Sequence, residues 1–508
     1  MVIKGISEGF HDASVALVED DQIIWAKHAE RLTRKKNDRV NPDYLRNAHA
    51  DTSVFYENVP LKNERRIAHS QVPVSTKIFD DCDYYCNHHE SHAAGAYYTS
   101  PFTEDAVCLV IDAIGEWTTS SIWQVKDKKF KKVFEKRYPQ SIGLFYSAIT
   151  KRIGLKPNED EYITMGMAAF GNVSVDMTWC FNEWANWHKG FSLQDFKGEH
   201  PYDIAASAQA HAELEIEKLV GLAANWGTNL CYAGGVALNC VANSKILHHY
   251  FKNVWIYPNP GDAGSSLGAA LWKGKKHVKY SPYLGTDIQH HVNPKIVVTQ
   301  LLKHQVVGVA NGKAEFGPRA LGNRSLLGDV RFDIKRRVNK IKKRQQFRPF
   351  APAILSEFAD EYFDGITNPY MQYVSKAKHD YSCVVHVDGT SRVQTVEPDC
   401  PSILRQILEN YYERTGIPML LNTSLNIKGQ PNRNGCLLLK NNIAQKTDID
   451  VETIVNSGAI LHGRTTNPEF SLTSFCHSKL NGVTRNPWNL DMTPGGSSGG
   501  SAAALASG

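Results

Sequence analysis

Two histidines four residues apart, His88 and His92 in the run Asn87-His88-His89-Glu90-Ser91-His92-Ala93-Ala94, are the side chains whose type and spacing point first to chemistry. On a helix they share one face, which lets two imidazoles hold one divalent metal, while His89 points elsewhere. A lone histidine would more simply cap or pack a helix. Two ligands do not complete a site either, so a third must come from another part of the chain. Asp262, in Pro258-Asn259-Pro260-Gly261-Asp262-Ala263-Gly264, stands between an apolar strand and a helix of small residues. There it either supplies the third ligand or caps the helix that follows.

Two further carboxylates sit in repeated surroundings. Strand, Asp, Gly-containing turn, hydroxyls and strand occur around His11-Asp12-Ala13-Ser14 and again around Asp112 with Gly115-Glu116-Trp117-Thr118. Such turns face a phosphate and its metal, or simply carry turn chemistry. The repetition resembles the two phosphate-binding hairpins of the actin, sugar-kinase and Hsp70 superfamily. Leu230–Asn239 reads as a strand, the pair Gly234-Gly235, then Val236 and a helix start carrying Asn239 and Asn243. Glycines there let backbone approach a nucleotide, and a helix N-terminus favours anions. Further on, Gly317-Pro318-Arg319 and Arg324 place two guanidinium forks around a tight turn, suited to a doubly charged oxyanion. Lys342, Arg344 and Arg348 add cations beside Phe347 and Phe350, either as a phosphate pocket, a nucleic-acid surface or a solvated helix face. Asn422 and Ser424 close a buried strand with groups that suit a neutral carbamoyl or amide.

These residues need a large α/β scaffold to bring them together. The chain has 508 residues, more than one ordinary core, with 42% hydrophobic and 21% charged residues, the composition of a globular protein. Its apolar runs are too short to span a bilayer, and its N-terminus shows no basic segment leading into an apolar one. A cytoplasmic location and no membrane partner are expected. Ten cysteines without C-x-x-C pairs disfavour a zinc ribbon and a dense disulfide framework. A net charge of +5 argues weakly for anionic substrates and against bulk nucleic-acid binding. Ile204–Ala224 has helical periodicity, His386–Val396 reads as a hairpin around Asp388-Gly389, and a composition change between 280 and 300 marks a domain boundary.

Taken together, the sequence resembles the O-carbamoyltransferase family that decorates antibiotics and nodulation factors, across residues 1–435. The matching stretches are His11–Ser14, His88–His92, Asp112 with Gly115-Glu116, Met165-Gly166, Gly234–Asn239 and Asp262, followed by Gly317–Ser325, Phe347–Phe350, Asp388-Gly389-Thr390 and Asn422-Thr423-Ser424. The resemblance implies an actin-like ATPase domain of two related halves over 1–290 and an α/β YrdC-like domain over 300–462. It implies an enzyme that turns carbamoyl phosphate and ATP into carbamoyl-adenylate and passes the carbamoyl group to a hydroxyl of a small-molecule or sugar-like acceptor. His88, His92 and Asp262 would hold Fe2+ or a similar divalent metal, and ATP would come with Mg2+. Asp112, Gly115, Glu116, Gly234, Gly235, Val236, Asn239, Asn243, Asn422 and Ser424 would bind the nucleotide and carbamoyl groups. Arg319, Arg324, Lys342, Arg344 and Arg348 would hold phosphate, with His11 or Asp12 accepting the acceptor's proton.

A homodimer is the expected assembly, and nucleic acid is not an expected partner. Alternatives are a threonylcarbamoyl-type modifier of a nucleotide or nucleic acid, or an inactive nucleotide-binding scaffold. Departures from the family pattern are Ile163 where lysine is common before Met-Gly, Lys313 for arginine, and Gln345 and Gln430 for glutamate. They suggest a divergent member with an unusual acceptor. The tail over 463–508 carries Asn486-Pro487-Trp488 and Thr493-Pro494-Gly495-Gly496-Ser497-Ser498, which resemble the amidase-signature family. It is expected to be a fragment or flexible linker without activity.

Overall fold

The apolar runs flanking Asp12 and Asp112 form strands, and each pair of strands begins the same series of elements. β1 (Val2–Ser7), β2 (Ser14–Glu19), β3 (Gln22–His28), β4 (Thr52–Phe55) and β5 (Tyr84–Tyr85) make one sheet in the order β3-β2-β1-β4-β5. β6 (Ala106–Ile111), β7 (Thr118–Lys126), β8 (Lys129–Arg137), β9 (Asn229–Ala233) and β10 (Asn253–Ile256) make a second in the order β8-β7-β6-β9-β10. In both, the first three strands run antiparallel as a meander and the last two join in parallel. The α/β fold therefore contains the two related halves expected of an actin-like ATPase domain. β6 is buried along its whole length, as a continuous apolar run requires.

This computed structural model describes residues 1–425 except 34, 184, 290 and 291, and then 476–478, 482–495, 498 and 501–503. Gln430, which bears on the charge of the expected carbamoyl phosphate pocket, and Gly496-Ser497 of the tail lie outside the described residues. The chain divides into one unit of residues 1–338 and 345–425 and another of 339–344 and 426–508. Among the described residues of the second unit, His477–Ser478 pairs antiparallel with Gly482–Val483.

Each half ends in a helix that starts at a candidate ligand: His88–Thr99 after β5, and Asp262–Gly274 after β10. The two helices pack on one another through small residues. A Cβ built on Gly268 would stand 1.9 Å from the carbonyl oxygen of Ser91, so only glycine permits this approach. Leu267, Ala269, Ala270 and Leu271 join Ala93, Ala94, Ala96 and Tyr97 in the core beneath them.

After β11 (Tyr283–Ile288) come β12 (Val306–Ala310), β13 (Gly312–Glu315), β14 (Arg324–Gly328), β15 (Ala351–Leu355), β16 (Phe363–Asp364), β17 (Ser375–Ala377), β18 (Thr390–Ser391), β19 (Gln394–Val396) and β20 (Met419–Ser424). Five of them form a third sheet, β12-β14-β20-β15-β19, covered by helices Pro294–His304 and Leu404–Thr415. The expected hairpin over His386–Val396 is corrected: Asp388-Gly389 does turn, but β18 pairs with β17 and β19 pairs in parallel with β15. The turn is set locally, whereas strand partners are chosen by the sheets on either side. The helix predicted over Ile204–Ala224 is present as Pro201–Ala223. Among the described residues no helix is long and apolar enough to cross a membrane.

Candidate metal centre and active site

The helix that carries the histidines is held at its start by two glutamates. Glu90 closes a capping box with Asn87, and Glu116 Oε1 accepts the backbone N–H of His88 and of Asn58, each at 2.8 Å. Glu116, expected among the cofactor contacts, thus serves to fix the His88 turn, and burial raises its pKa. His88 Nε2 and His92 Nε2 lie 3.2 Å apart. His89 turns away to Ser121 Oγ, 2.8 Å from its Nδ1.

Asp112 leaves the end of β6 and Asp262 opens its helix, and both reach the imidazoles. His88 Nε2 is 3.0 Å from Asp112 Oδ2 and 3.4 Å from Asp262 Oδ1, while His92 Nε2 is 3.5 Å from each. All four side chains are buried, with donor atoms within 4.8 Å of one another. Ligands on bonds of about 2.1 Å at tetrahedral angles would be spaced by about 3.4 Å, so these edges fit one divalent ion. The electrostatics agree. Burial disfavours the charged imidazole, yet the two carboxylates outweigh it and push His88 well above, and His92 above, the usual histidine value. Asp262, despite burial, is held well below the usual carboxylate range by His88 and His11. The pocket is built to enclose positive charge, which a divalent ion supplies in place of protons.

Around this set stands an outer layer. Glu57 Oε2 is 3.6 Å from His88 Nδ1, and Glu57 is clasped by Lys62 Nζ at 2.7 and 2.8 Å. Asp112 Oδ1 accepts the N–H of Gly235 at 3.0 Å, tying the ligand to the glycine pair. Gly234 has φ +91°, and a Cβ there would stand 2.2 Å from the carbonyl oxygen of Ile111. Val236 belongs to the turn Gly235–Leu238 that follows. Asn239 caps the next helix and exchanges hydrogen bonds with Gln209, and Asn243 Nδ2 donates to Ala237 O and Gln372 O. Both amides shape the loop from inside. Gly115 faces His88, 3.0 Å from where its Cβ would be.

At the mouth, His11 Nε2 is 3.6 Å from Asp262 Oδ2 and its Nδ1 is 3.0 Å from Asp12 Oδ2. Asp12 also faces His28, whose Nε2 is 3.4 Å away. Burial opposes a charge on His11, but Asp262 and Asp12 prevail and push it up to about 9. Hydrogen bonds from His11 and His28 hold Asp12 well below the carboxylate range in spite of burial. His11 is therefore an acid-base group in contact with the ligand set, and this charge environment favours its protonated form.

The arginines divide. Arg324 Nε pairs with buried Glu315 at 2.8 Å and its Nη2 donates to the carbonyls of Gly317 and Arg319, so it braces the loop. Arg319, on that loop, lines a narrow gap with Ala237, Leu238, Pro258, Pro260 and Gln372. Burial and the neighbouring Arg392 bring it down to about 9. Arg392 also repels Arg348, whose guanidinium lies 4.6 Å from the ring of Tyr162. Asn422 Nδ2 donates to Ala320 O and Gln394 Oε1, and Ser424 stands opposite Ser325 in register. Lys342 and Arg344 belong to the second unit, where Arg344 Nε donates to Asn339 Oδ1 at 2.5 Å.

A family model described as Carbamoyltransferase C-terminus matches residues 298–456, and one described as Carbamoyltransferase N-terminus matches 39–193 and 181–271. An uncharacterized protein of Synechocystis sp. is 32% identical over 84% of this chain and 92% of its own length. The nodulation protein NolNO of Sinorhizobium fredii is 28% identical over 90% of this chain and 80% of its own. The chain belongs to the carbamoyltransferase family. Full-length HypF in its phosphate- and nucleotide-bound form has a TM-score of 0.33 and 13% identity over 55% of this chain and 56% of that one, a similarity too loose to add more. As a carbamoyltransferase, the protein is a transferase enzyme. Its ligand cluster includes Asp112, which sequence reading had placed with the nucleotide, and its arginine group includes Arg392. The signal for Asp112 was its position at the carboxyl end of a buried strand, the counterpart of Asp12 in the first half. Glu57 and Lys62 left no such signal, because a Glu-x4-Lys spacing is common on any helix start.

Proposed function

We propose that this carbamoyltransferase is ATP-dependent and carbamoylates a hydroxyl of a small-molecule or sugar-like acceptor in two stages. The reading divides the chain into an actin-like transfer domain over 1–290 and a YrdC-like domain over 300–462, in a cytoplasmic enzyme. In the first stage water hydrolyses carbamoyl phosphate to carbamate and inorganic phosphate, the carbamate oxygen then attacks the α-phosphorus of ATP, and pyrophosphate leaves, giving carbamoyl-adenylate. Arg319, Arg392 and Arg348 stabilise the negative charge that gathers on the transferring phosphoryl oxygens. Arg392 repels both Arg319 and Arg348, a clustering of cations that supports this role by favouring an anion beside Arg392.

In the second stage the acceptor oxygen bonds to the carbamoyl carbon and AMP departs. A divalent ion on His88, His92, Asp112 and Asp262 would neutralise the adenylate phosphate as a Lewis acid. The chain's own groups hold the rest. The Gly234-Gly235 turn offers backbone N–H groups and an open approach, the Gly235 N–H fixes Asp112, and His11 with Asp12 takes the acceptor's proton once its own has been released. The observation that carries the proposal is the link between ligand set and glycine turn through Gly235 N–H to Asp112. The experiment is to incubate the protein with metal, carbamoyl phosphate and ATP and to measure pyrophosphate. Release without any acceptor and without RNA supports the reading; no release under any condition sinks it, and release that requires RNA points to a nucleic-acid modifier.

A further inference from the structure

Lys62, clasped to Glu57 beside the ligand His88, lies on the helix Val59–Ala68, and the next turn of that helix is also basic. Arg65 is 2% exposed, yet its Nε and Nη1 have no hydrogen-bond partner. The two carboxylates within its electrostatic reach are both engaged elsewhere, Glu57 by Lys62 and Glu116 by the N–H groups of Asn58 and His88. A buried guanidinium with idle donors is costly unless something fills them.

What surrounds Arg65 is more positive charge on an aromatic wall. Its guanidinium is 5.6 Å from the ring of Tyr138, which His69 meets edge-on at 4.7 Å. Arg137 lies 5.6 Å from the ring of Trp117, and exposed His188 reaches Tyr138 at 6.2 Å. Arg65, Arg66 and His69 all act against a proton on His188, so the four groups share one neighbourhood. Arg66 Nε donates to a carbonyl, no described carboxylate lies within 4.0 Å of the guanidinium nitrogens of Arg65, Arg66 or Arg137, and Arg137 acts on Glu135 only at longer range. The ring of Phe10, next to His11, lies under both Lys62 and Arg66, which joins this wall to the mouth of the metal centre.

We propose that this wall is the acceptor site and that it selects an acceptor bearing an oxyanion, a carboxylate, sulfate or phosphate, on a skeleton that lies against Trp117 and Tyr138. The inference rests on the carbamoyl-transfer reading above. Four residues of helix separate Lys62 from Arg66, about 6 Å of rise, so the oxyanion is held one helical turn beyond Lys62 and apart from the hydroxyl that reacts. Arg65 supplies the buried donors, Arg66 and Arg137 close from the surface, and the rings exclude water from the skeleton.

Calorimetric titration of the full chain reads this without turnover, using glucuronate, glucose 6-phosphate, inorganic sulfate and, as neutral control, glucose. Glucuronate or glucose 6-phosphate is expected to bind more tightly than both sulfate and glucose. Arg66→Ala and Arg137→Ala are each expected to weaken that binding by about tenfold. Binding of none of the anions, or anion binding that both variants leave unchanged, overturns the proposal. Sulfate binding as tightly as the sugar acids would make this a free-anion site and overturn its assignment to the acceptor. Pyrophosphate release by the unsubstituted protein is followed separately, and its absence would count against the donor chemistry and not against the anion site.

Discussion

Two buried carboxylates raise the proton affinity of His88 and His92 against the penalty of burying a charge. A metal competes with protons for these imidazoles, so its affinity rises with pH and its binding releases protons. Titration of metal into chelator-treated protein should show a tighter Kd at pH 8 than at pH 6, with proton uptake by buffers of different ionisation heat; a flat profile would refute the ligand set. His88→Ala should lose at least about tenfold in metal affinity. The same charges make His11 a stability group in the metal-free protein. Its folded value of about 9 lies above the ordinary 6.5. Its contribution is therefore fully present below about pH 6.5 and lost as pH rises through about 9. The melting temperature of the metal-free protein should fall over that window, and His11→Gln should flatten the fall.

Two helices related by the duplication meet at the centre and carry three of the four ligands between them. Their crossing depends on Gly268 and on the carbonyl of Ser91, 1.9 Å from where a Cβ would stand. Gly268→Ala should force the helices apart, costing about 1–3 kcal/mol of stability. Metal affinity should fall with it, although Gly268 touches no ligand. A melting curve and a metal titration on the same variant check both, and unchanged metal affinity with lowered stability would show that the crossing does not position the ligands.

Across the whole molecule the ligand centre lies between the first two sheets and the arginine group Arg319, Arg392 and Arg348 is supplied by loops around the third. If adenylate is made at the arginines and consumed at the metal, the two activities separate by substitution. Arg392→Ala should lower pyrophosphate release on the order of a hundredfold while metal content stays intact. His88→Ala should keep pyrophosphate release and lose transfer to an acceptor. Loss of both activities in both variants, with folding preserved by circular dichroism, would refute the division of labour.

What the residues alone determined was local: the two imidazoles on one helix face, the carboxylate at the end of each apolar run, the glycine pair before a helix, and the repetition that signals two halves. Each depends on spacing within a single element, where helix and strand periods dictate geometry. Only the tertiary structure decided which carboxylates join the histidines. Asp112 and Asp262 come from different strands' ends, and the pairing of β6 with β9 and the packing of two helices bring both within reach. It likewise turned Glu116, Asn239, Asn243 and Arg324 toward the backbone they brace, because a polar side chain near a site bonds whatever group burial leaves unsatisfied. Arg65 is the sharpest case: the sequence shows one more arginine on a basic helix, and only burial reveals that its donors are idle.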